Sequence, residues 1–292
     1  MTKNNFVKIV PKRTVIIGAK GFVGQSICKV LKNDNMPILE LSRNEVDFKK
    51  PEASLKLQSL LDQDDFIIIA VAEAPVKNNA MLLNNINIMK IIIDSILKKN
   101  IKRVVYVSSD AVYSDSKNNL IEKSPVEPQS LHGIMHLTRE IMLKQLEHIQ
   151  LSIIRPTLIY GFKDPHNGYG PNQFFRLASL KKNITLFGKG EELRDHVSIN
   201  DVSKLIAKVT FSNFEGILNI ASGKVISFKD IAKFIQNSYD NKINIIETER
   251  VGKMPHDGYR SFNIDKIHSL FPNFKITTVE SGLKSYFDNI SQ

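Results

Sequence analysis

The stretch Val15-Ile16-Ile17-Gly18-Ala19-Lys20-Gly21-Phe22-Val23-Gly24 decides how this chain is read. An apolar run suited to a buried strand ends in three glycines, and a helical pattern continues from there to Asn33. In a strand–turn–helix of this kind Gly18 permits the tight turn and Gly21 lets backbone approach a diphosphate. Gly24 allows close helix–strand packing. The start of the helix offers unpaired N–H groups and the positive end of its dipole to phosphate oxygens. Glycine triplets also serve ordinary turns. Placed directly after the first strand of a strand–helix–strand unit, this one is a dinucleotide cradle, with Phe22 and Val23 inside it.

Outward from the cradle, the second strand, Ile38 to Leu41, is followed by Ser42-Arg43. A carboxylate at that end would hold an adenosine ribose diol, whereas an arginine meets a 2′-phosphate; NADP is therefore expected in preference to NAD. Asp47 and Phe48 are expected near the adenine ring. Leu55 to Leu61 reads as helical, and Phe66 to Val71 is an unalternated apolar run, as in a strand buried on both faces. Helices over Leu82 to Lys99 and Gly133 to His148 alternate with strands over Val104 to Val107 and Ser152 to Arg155. The pattern predicts a doubly wound parallel α/β sheet with right-handed crossovers.

After Gly161 the pattern turns irregular, with Asp164-Pro165, Asn167-Gly168 and Gly170-Pro171 as turn signals. A helix at Val202 to Thr210 and a strand at Ile217 to Ile220 read as returns to the sheet. The expected organisation is a dinucleotide-binding domain over 1–161, with returning segments near 196–221. A smaller substrate-binding lobe covers most of 162–292.

With 292 residues, 42% hydrophobic and 24% charged, the chain is long enough for a substantial core, and a disordered, collagen-like or disulfide-stapled chain is excluded. One cysteine, Cys28, fits a reducing compartment. Neither a signal peptide nor a run of about 18 apolar residues is read, so a cytoplasmic protein without membrane attachment is expected. The net charge of +10 comes from scattered lysines rather than a run, which reads as ordinary solvated surface, and nucleic acid is not an expected partner.

Three collinear segments carry a resemblance. The glycine spacing, Tyr106-Val107-Ser108-Ser109-Asp110-Ala111-Val112-Tyr113 and Arg155-Pro156-Thr157-Leu158-Ile159-Tyr160-Gly161 together resemble the extended short-chain dehydrogenase/reductase family. The look is that of nucleotide-sugar epimerases and reductases. Gly188 to Val197 and Leu218 to Gly223 match later family segments, so the resemblance covers nearly the whole chain.

The resemblance implies a Ser/Thr that orients the reacting sugar oxygen, a tyrosine that exchanges its proton, and a lysine four residues later. Ser109 falls on the first position. The tyrosine and lysine positions are His132 and His136, with Pro128 before and Glu140 after them in their usual places. A phenol near pKa 10 needs a neighbouring cation to ionise at neutral pH, and an imidazole near about 6.5 does not, so losing both residues together is chemically coherent. His132 is then the expected proton-exchanging group and His136 a partner for the nicotinamide ribose.

The expected cofactor set is completed by Ala70, Ala72, Asn85 and Pro156; Asn85 also reads as a capping or packing residue. The expected partner is a nucleotide-sugar, with Asp110, Asn172, Arg194 and Arg260 as its contacts. The two arginines suit a diphosphate, or else salt pairs with Asp195 or Asp257. Ala111 stands where 4,6-dehydratases carry a glutamate, which argues against dehydration. His132, His136 and Glu140 share a helix face without completing a metal motif, so no metal is expected. A homodimer through the helices near Leu82 to Lys99 and Gly133 to His148 is expected, since both are apolar around much of their circumference. A catalytically inactive dinucleotide-binding protein of the same fold is the alternative, and an RNA-binding relative a more distant one.

Overall fold

The computed structural model describes residues 9–240 and 242–290. The chain begins with β1 (Arg13–Ile17), α1 (Phe22–Asn33), β2 (Ile38–Leu41), α2 (Ala53–Leu60), β3 (Asp65–Ile69), α3 (Asn79–Lys99) and β4 (Arg103–Val107). It continues with α4 (Leu131–Lys144), β5 (Gln150–Pro156), β6 (Leu158–Tyr160), α5 (Pro171–Ser179), β7 (Ile184–Phe187), β8 (Leu193–Ser198), α6 (Ile199–Thr210) and β9 (Gly216–Ile220). The last elements are β10 (Val225–Ser227), α7 (Phe228–Ser238), β11 (Ile245–Thr248), β12 (Tyr259–Arg260), α8 (Asp265–Leu270) and α9 (Val279–Ile290).

Two compact units result. The first runs through Ser114 and takes in Glu122–Pro156 and Val202–Asn219; the second takes Asp115–Ile121, Thr157–Asp201 and the chain from Ile220. The first holds a doubly wound sheet in the order β2-β1-β3-β4-β5-β9, parallel at each of the first four pairings. From β1 the chain winds outward to β2 and then back past β1 to β3, so the order reverses between β1 and β3. A crevice opens at such a reversal, beyond the carboxyl ends of the strands. Val15, Ile17, Ile67, Ile69, Val104 and Tyr106 from the sheet pack with Ile88, Met89, Ile92 and Ile96 of α3 in one core.

Several boundaries differ from expectation for local reasons. Asn78 accepts a hydrogen bond from the Met81 N–H, so α3 starts at Asn79 rather than Leu82. Ser130 caps α4 through the Gly133 N–H, which places His132 in the first helical turn. α4 ends at Lys144, not His148: the Gln145 and Leu146 N–H groups tighten onto Met142 and Leu143, and the chain turns to enter β5 at Gln150. α3 also corrects the hydropathy reading, because an 18-residue window within it has mean hydropathy 1.4, enough by length and composition to cross a membrane. Its Ile88, Met89, Ile92 and Ile96 are committed to the core.

Arg103 stitches the far edge of the sheet. Its buried guanidinium donates to the carbonyls of Gln150, Val209 and Phe214, the last two at the end of α6 and just beyond it. Burial lowers its pKa to about 10.

The second unit is built around an aromatic core. Phe174, Phe175, Phe228, Tyr160 and Tyr286 cluster with Ile184, Leu186 and Leu283, and Phe175 stacks on Tyr286 with centroids 4.3 Å apart. β8 is flanked by β10 and β12, and β6 also pairs with it.

Candidate active site

The cradle after β1 is formed by backbone. Gly18 has φ +97°, and a Cβ there would sit 2.7 Å from the Val71 nitrogen at the end of β3. A Cβ on Gly24 would lie 2.1 Å from the Gly18 oxygen, so α1 seats on the turn only with glycine at that place. Gly21 is different: its φ is −72° and its Cβ would meet only the Gly18 oxygen at 3.2 Å. The space beside Gly21 is open. That is the arrangement in which a ligand phosphate can reach the first turn of α1.

A pocket at the β1/β3 reversal is lined by Gly18, Lys20 and Gly21, by Ser42, Arg43, Asp47, Phe48 and Lys49, and by Ala70 to Glu73. Of the expected cofactor residues, Gly18, Gly21, Ser42, Arg43, Asp47, Phe48, Ala70 and Ala72 therefore meet there. Phe22, Val23, Gly24, Asn85 and Pro156 do not line it. Sequence reasoning missed Lys20, Lys49 and Glu73, although Lys20 lies inside the glycine triplet.

Two polar residues have local engagements that the sequence did not disclose. The Ser42 N–H and hydroxyl both donate to the Glu45 carboxylate, which lowers the Glu45 pKa. Asn85 is fully buried; its oxygen accepts from the Glu73 N–H and its amide donates to the Glu73 and Met81 carbonyls. Asn85 thus holds the shape of the pocket-lining loop after β3 instead of facing the pocket.

The second assembly in this unit gathers around α4. Ser109 follows β4 and caps a short 3₁₀ turn over Asp110–Val112, its oxygen accepting from the Ala111 N–H. Asp110 is buried, with its carboxylate 3.4 Å from the Ser109 hydroxyl. Gly133 brings α4 against this turn: a Cβ there would lie 2.1 Å from the Ala111 oxygen. His132 and His136 meet edge to face at 4.7 Å, and His136 Nδ1 is 2.8 Å from the Tyr106 hydroxyl. Burial, with His132 and Arg139 nearby, pushes the His136 pKa well below its ordinary value.

Glu140 anchors α4 to β5. Arg155 donates to it twice, at 2.9 and 2.6 Å, and Ser108 once, at 2.6 Å. Both charged side chains are at most 2% exposed.

In the second unit the expected substrate residues divide. Arg194 pairs with Glu192 at 2.9 Å, and Arg260 lies 3.4 Å from Asp115 and 3.1 Å from His256 Nδ1, which itself pairs with Asp115. Both arginines lower the His256 pKa, after burial as the larger cause, so they are gathered around one imidazole. Arg194 thus pairs with Glu192 and Arg260 with Asp115. The Asp195 carboxylate instead accepts from the Ser222 N–H and hydroxyl and the Gly223 N–H. Asn172 is committed to its loop, accepting from the Gly161 N–H and donating to Asp164. Among the described residues no cluster suited to a metal ion is found.

Residues 14–221 match the NAD dependent epimerase/dehydratase family. The match spans well over half of the chain, which belongs to that family of enzymes. A Methanocaldococcus jannaschii protein named as a UDP-glucose 4-epimerase is 26% identical over 285 residues, covering 88% of this chain and 91% of that one. The UDP-glucose 4-epimerase of Thermotoga maritima superposes with a TM-score of 0.84 at 19% identity, over 96% of this chain and 99% of that one. A GDP-L-fucose synthetase from Naegleria fowleri, bound to NADP, does so with a TM-score of 0.83 at 14% identity, over 98% and 96%. These likenesses show the fold as the doubly wound α/β type.

Proposed function

We propose that this chain is an NAD(P)-dependent enzyme acting at C4 of a nucleotide-linked sugar, by epimerisation or by reduction of a 4-keto group, with NADP preferred. The observation that carries the reading is the pairing of an open glycine cradle with His132 and His136 on α4. The fit to a dinucleotide rests on the cradle itself: backbone closes around Gly18 and Gly24 while the side of Gly21 stays open. Gly18, Gly21 and the first turn of α1 would hold the diphosphate, and Arg43 with Lys20 the 2′-phosphate. When bound, the nicotinamide supplies the hydride exchange at the sugar carbon.

The rest is the work of the chain's own residues. Ser109 orients the sugar oxygen, and His132 takes or returns its proton; an imidazole does this near neutrality without a neighbouring cation. The second unit holds the nucleotide-sugar, with Arg194 and Arg260 toward its diphosphate. The protein works as a cytoplasmic homodimer, joined through Leu83 and Leu97 of α3 and Ile134 and Ile141 of α4, all of them exposed.

The test combines calorimetry with turnover. Wild type binds NADP more tightly than NAD and converts a UDP- or GDP-sugar. Gly21→Val folds but loses the dinucleotide. His132→Phe keeps the dinucleotide and loses roughly 10²–10⁴ in rate. Turnover unchanged in His132→Phe overturns the role of His132. Binding with no turnover in wild type makes the chain a dinucleotide-binding protein without this chemistry.

A further inference from the structure

α4 carries a buried arginine that pairs with no carboxylate among the described residues. Arg139 is 0% exposed and directly precedes Glu140, yet the Glu140 carboxylate is taken by Arg155. Arg139 Nη1 donates to the Val71 carbonyl at 2.9 Å and lies 3.8 Å from the Met135 sulfur. Its Nε and Nη2 make no close, well-aligned hydrogen bond, and the side-chain group they interact with is the Tyr106 hydroxyl. Holding α4 to Val71 needs only one N–H, which a neutral amide would supply at far lower desolvation cost. A structural tie therefore leaves the charge unexplained.

What lies beside that charge is the histidine pair. The guanidinium carbon sits 5.5 Å from the centroid of Tyr106, whose hydroxyl is 2.8 Å from His136 Nδ1. His136 in turn meets His132 at 4.7 Å. A cation beside a phenol strengthens its O–H as a donor and weakens its oxygen as an acceptor. Burial pushes the Tyr106 phenol up to about 12, so the O–H is retained. The proton between Tyr106 and His136 then belongs to the phenol, and His136 Nδ1 accepts it.

We propose that Arg139 is a positioning residue: acting across Tyr106, it fixes His136 as a neutral imidazole that carries its proton on Nε2. His136 thereby offers a hydrogen-bond donor at the position where the family has a lysine, but without the positive charge. The charged and titratable groups around His136 agree with this assignment. α4 contributes His132, Arg139 and Glu140, with Glu140 held by Arg155 of β5. β4 contributes Tyr106, and the 3₁₀ turn packed on α4 contributes Asp110. The buried residues of α3 include no titratable group. The functional meaning of the tautomer rests on the reading of His132 and His136 as the reactive pair; the tautomer itself does not.

The experiment is two-bond ¹H–¹⁵N correlation of the full chain labelled at histidine, with the His136 signal identified by its loss in His136→Gln. In wild type His136 shows the Nε2–H pattern and no titration between about pH 5 and pH 8. In Arg139→Met its proton affinity rises at least about tenfold, one pKa unit, and Arg139→Lys restores the wild-type curve. Tyr106→Phe, which keeps the charge and removes the donor, gives a mixture of tautomers. A wild-type Nδ1–H pattern, titration of His136 near about 6.5, or a pure Nε2–H pattern in Tyr106→Phe overturns the proposal. So does an unchanged titration in a folded Arg139→Met; should that variant not fold, Arg139→Gln, which keeps an N–H for the Val71 carbonyl without the charge, carries the same test. These spectra need no substrate, so a protein without turnover fails the proposed function and leaves this inference to its own measurement.

Discussion

The turn after β1 and the first turns of α4 belong to the same unit and are built from different materials. The turn is backbone: its three glycines act by what they lack, and Gly24 clears the Gly18 oxygen only because it has no Cβ. Around α4 the material is side chain, with the half-buried His132 beside the buried His136, Tyr106, Arg139, Arg155 and Glu140. A backbone site tolerates change around it as long as its few glycines remain. A buried charged cluster does not, because removing one member leaves a buried polar group of another unmatched.

The sharpest break between the two regions should come from Glu140→Ala. Arg155 is 2% exposed and would keep its charge with neither carboxylate oxygen to receive it. Removing one partner of such a pair costs about 3–5 kcal/mol. Gly21→Ala is the counterpart in the cradle; its Cβ would touch only the Gly18 oxygen, at 3.2 Å, and a change within about 1 kcal/mol is expected. Urea unfolding of the two variants measures both. Equal losses would erase the distinction between backbone-built and side-chain-built sites.

Acidification probes the buried imidazoles. In the unfolded chain a histidine takes up a proton below about 6.5. In the folded chain burial, aided by Arg194, lowers His196 to about 3, and His136 is also held well below its ordinary value. The unfolded state therefore binds more protons across this window, so stability falls as pH drops from about 6.5 toward 3. At pH 5 His196 alone accounts for about 2 kcal/mol. Unfolding of His196→Phe should depend less on pH over that range, with the remaining slope belonging to His136 and other groups. An unaltered slope would mean that His196 is protonated in the folded protein.

The same contrast explains what could be read from the sequence. Strand–turn–helix, the apolar run of β3 and the return of β9 to the sheet follow from periodicity and glycine spacing, which are local signals. For Asn85 the packing alternative is the one the structure shows, but its partners at Glu73 and Met81 were not legible, because only the fold brings the Glu73 backbone to it. The engagement of Ser42 with Glu45 lies three residues away, yet serine at a strand end reads equally as a ligand contact. Nothing local in the sequence marks Arg139 for burial. Only the fold sets it against Tyr106 of β4 and the Val71 carbonyl beyond β3, and no pattern along the chain announces which of two adjacent charges, Arg139 or Glu140, will find a carboxylate or guanidinium partner.

The smallest expected effect tests the one place where the cradle depends on a side chain. Arg43 is exposed at the pocket mouth, and its neighbours there are partly engaged: Ser42 donates to Glu45, and Lys49 pairs with Glu73 at 3.0 Å. A 2′-phosphate would therefore draw on Arg43 first, with Lys20 next among the three cations lining the pocket, since Lys49 pairs with Glu73. Because the guanidinium is solvated and flexible, its contribution should be modest, about tenfold in affinity or about 1.4 kcal/mol. Arg43→Ala should weaken NADP by that factor and leave NAD unchanged. The difference should shrink in about 1 M salt, where the screening length falls to about 3 Å. Titrations of both dinucleotides at low and high salt separate the alternatives. An unchanged NADP-to-NAD ratio in Arg43→Ala would move discrimination to Lys20 or to backbone, and the cradle would then owe nothing to side-chain charge at the end of β2.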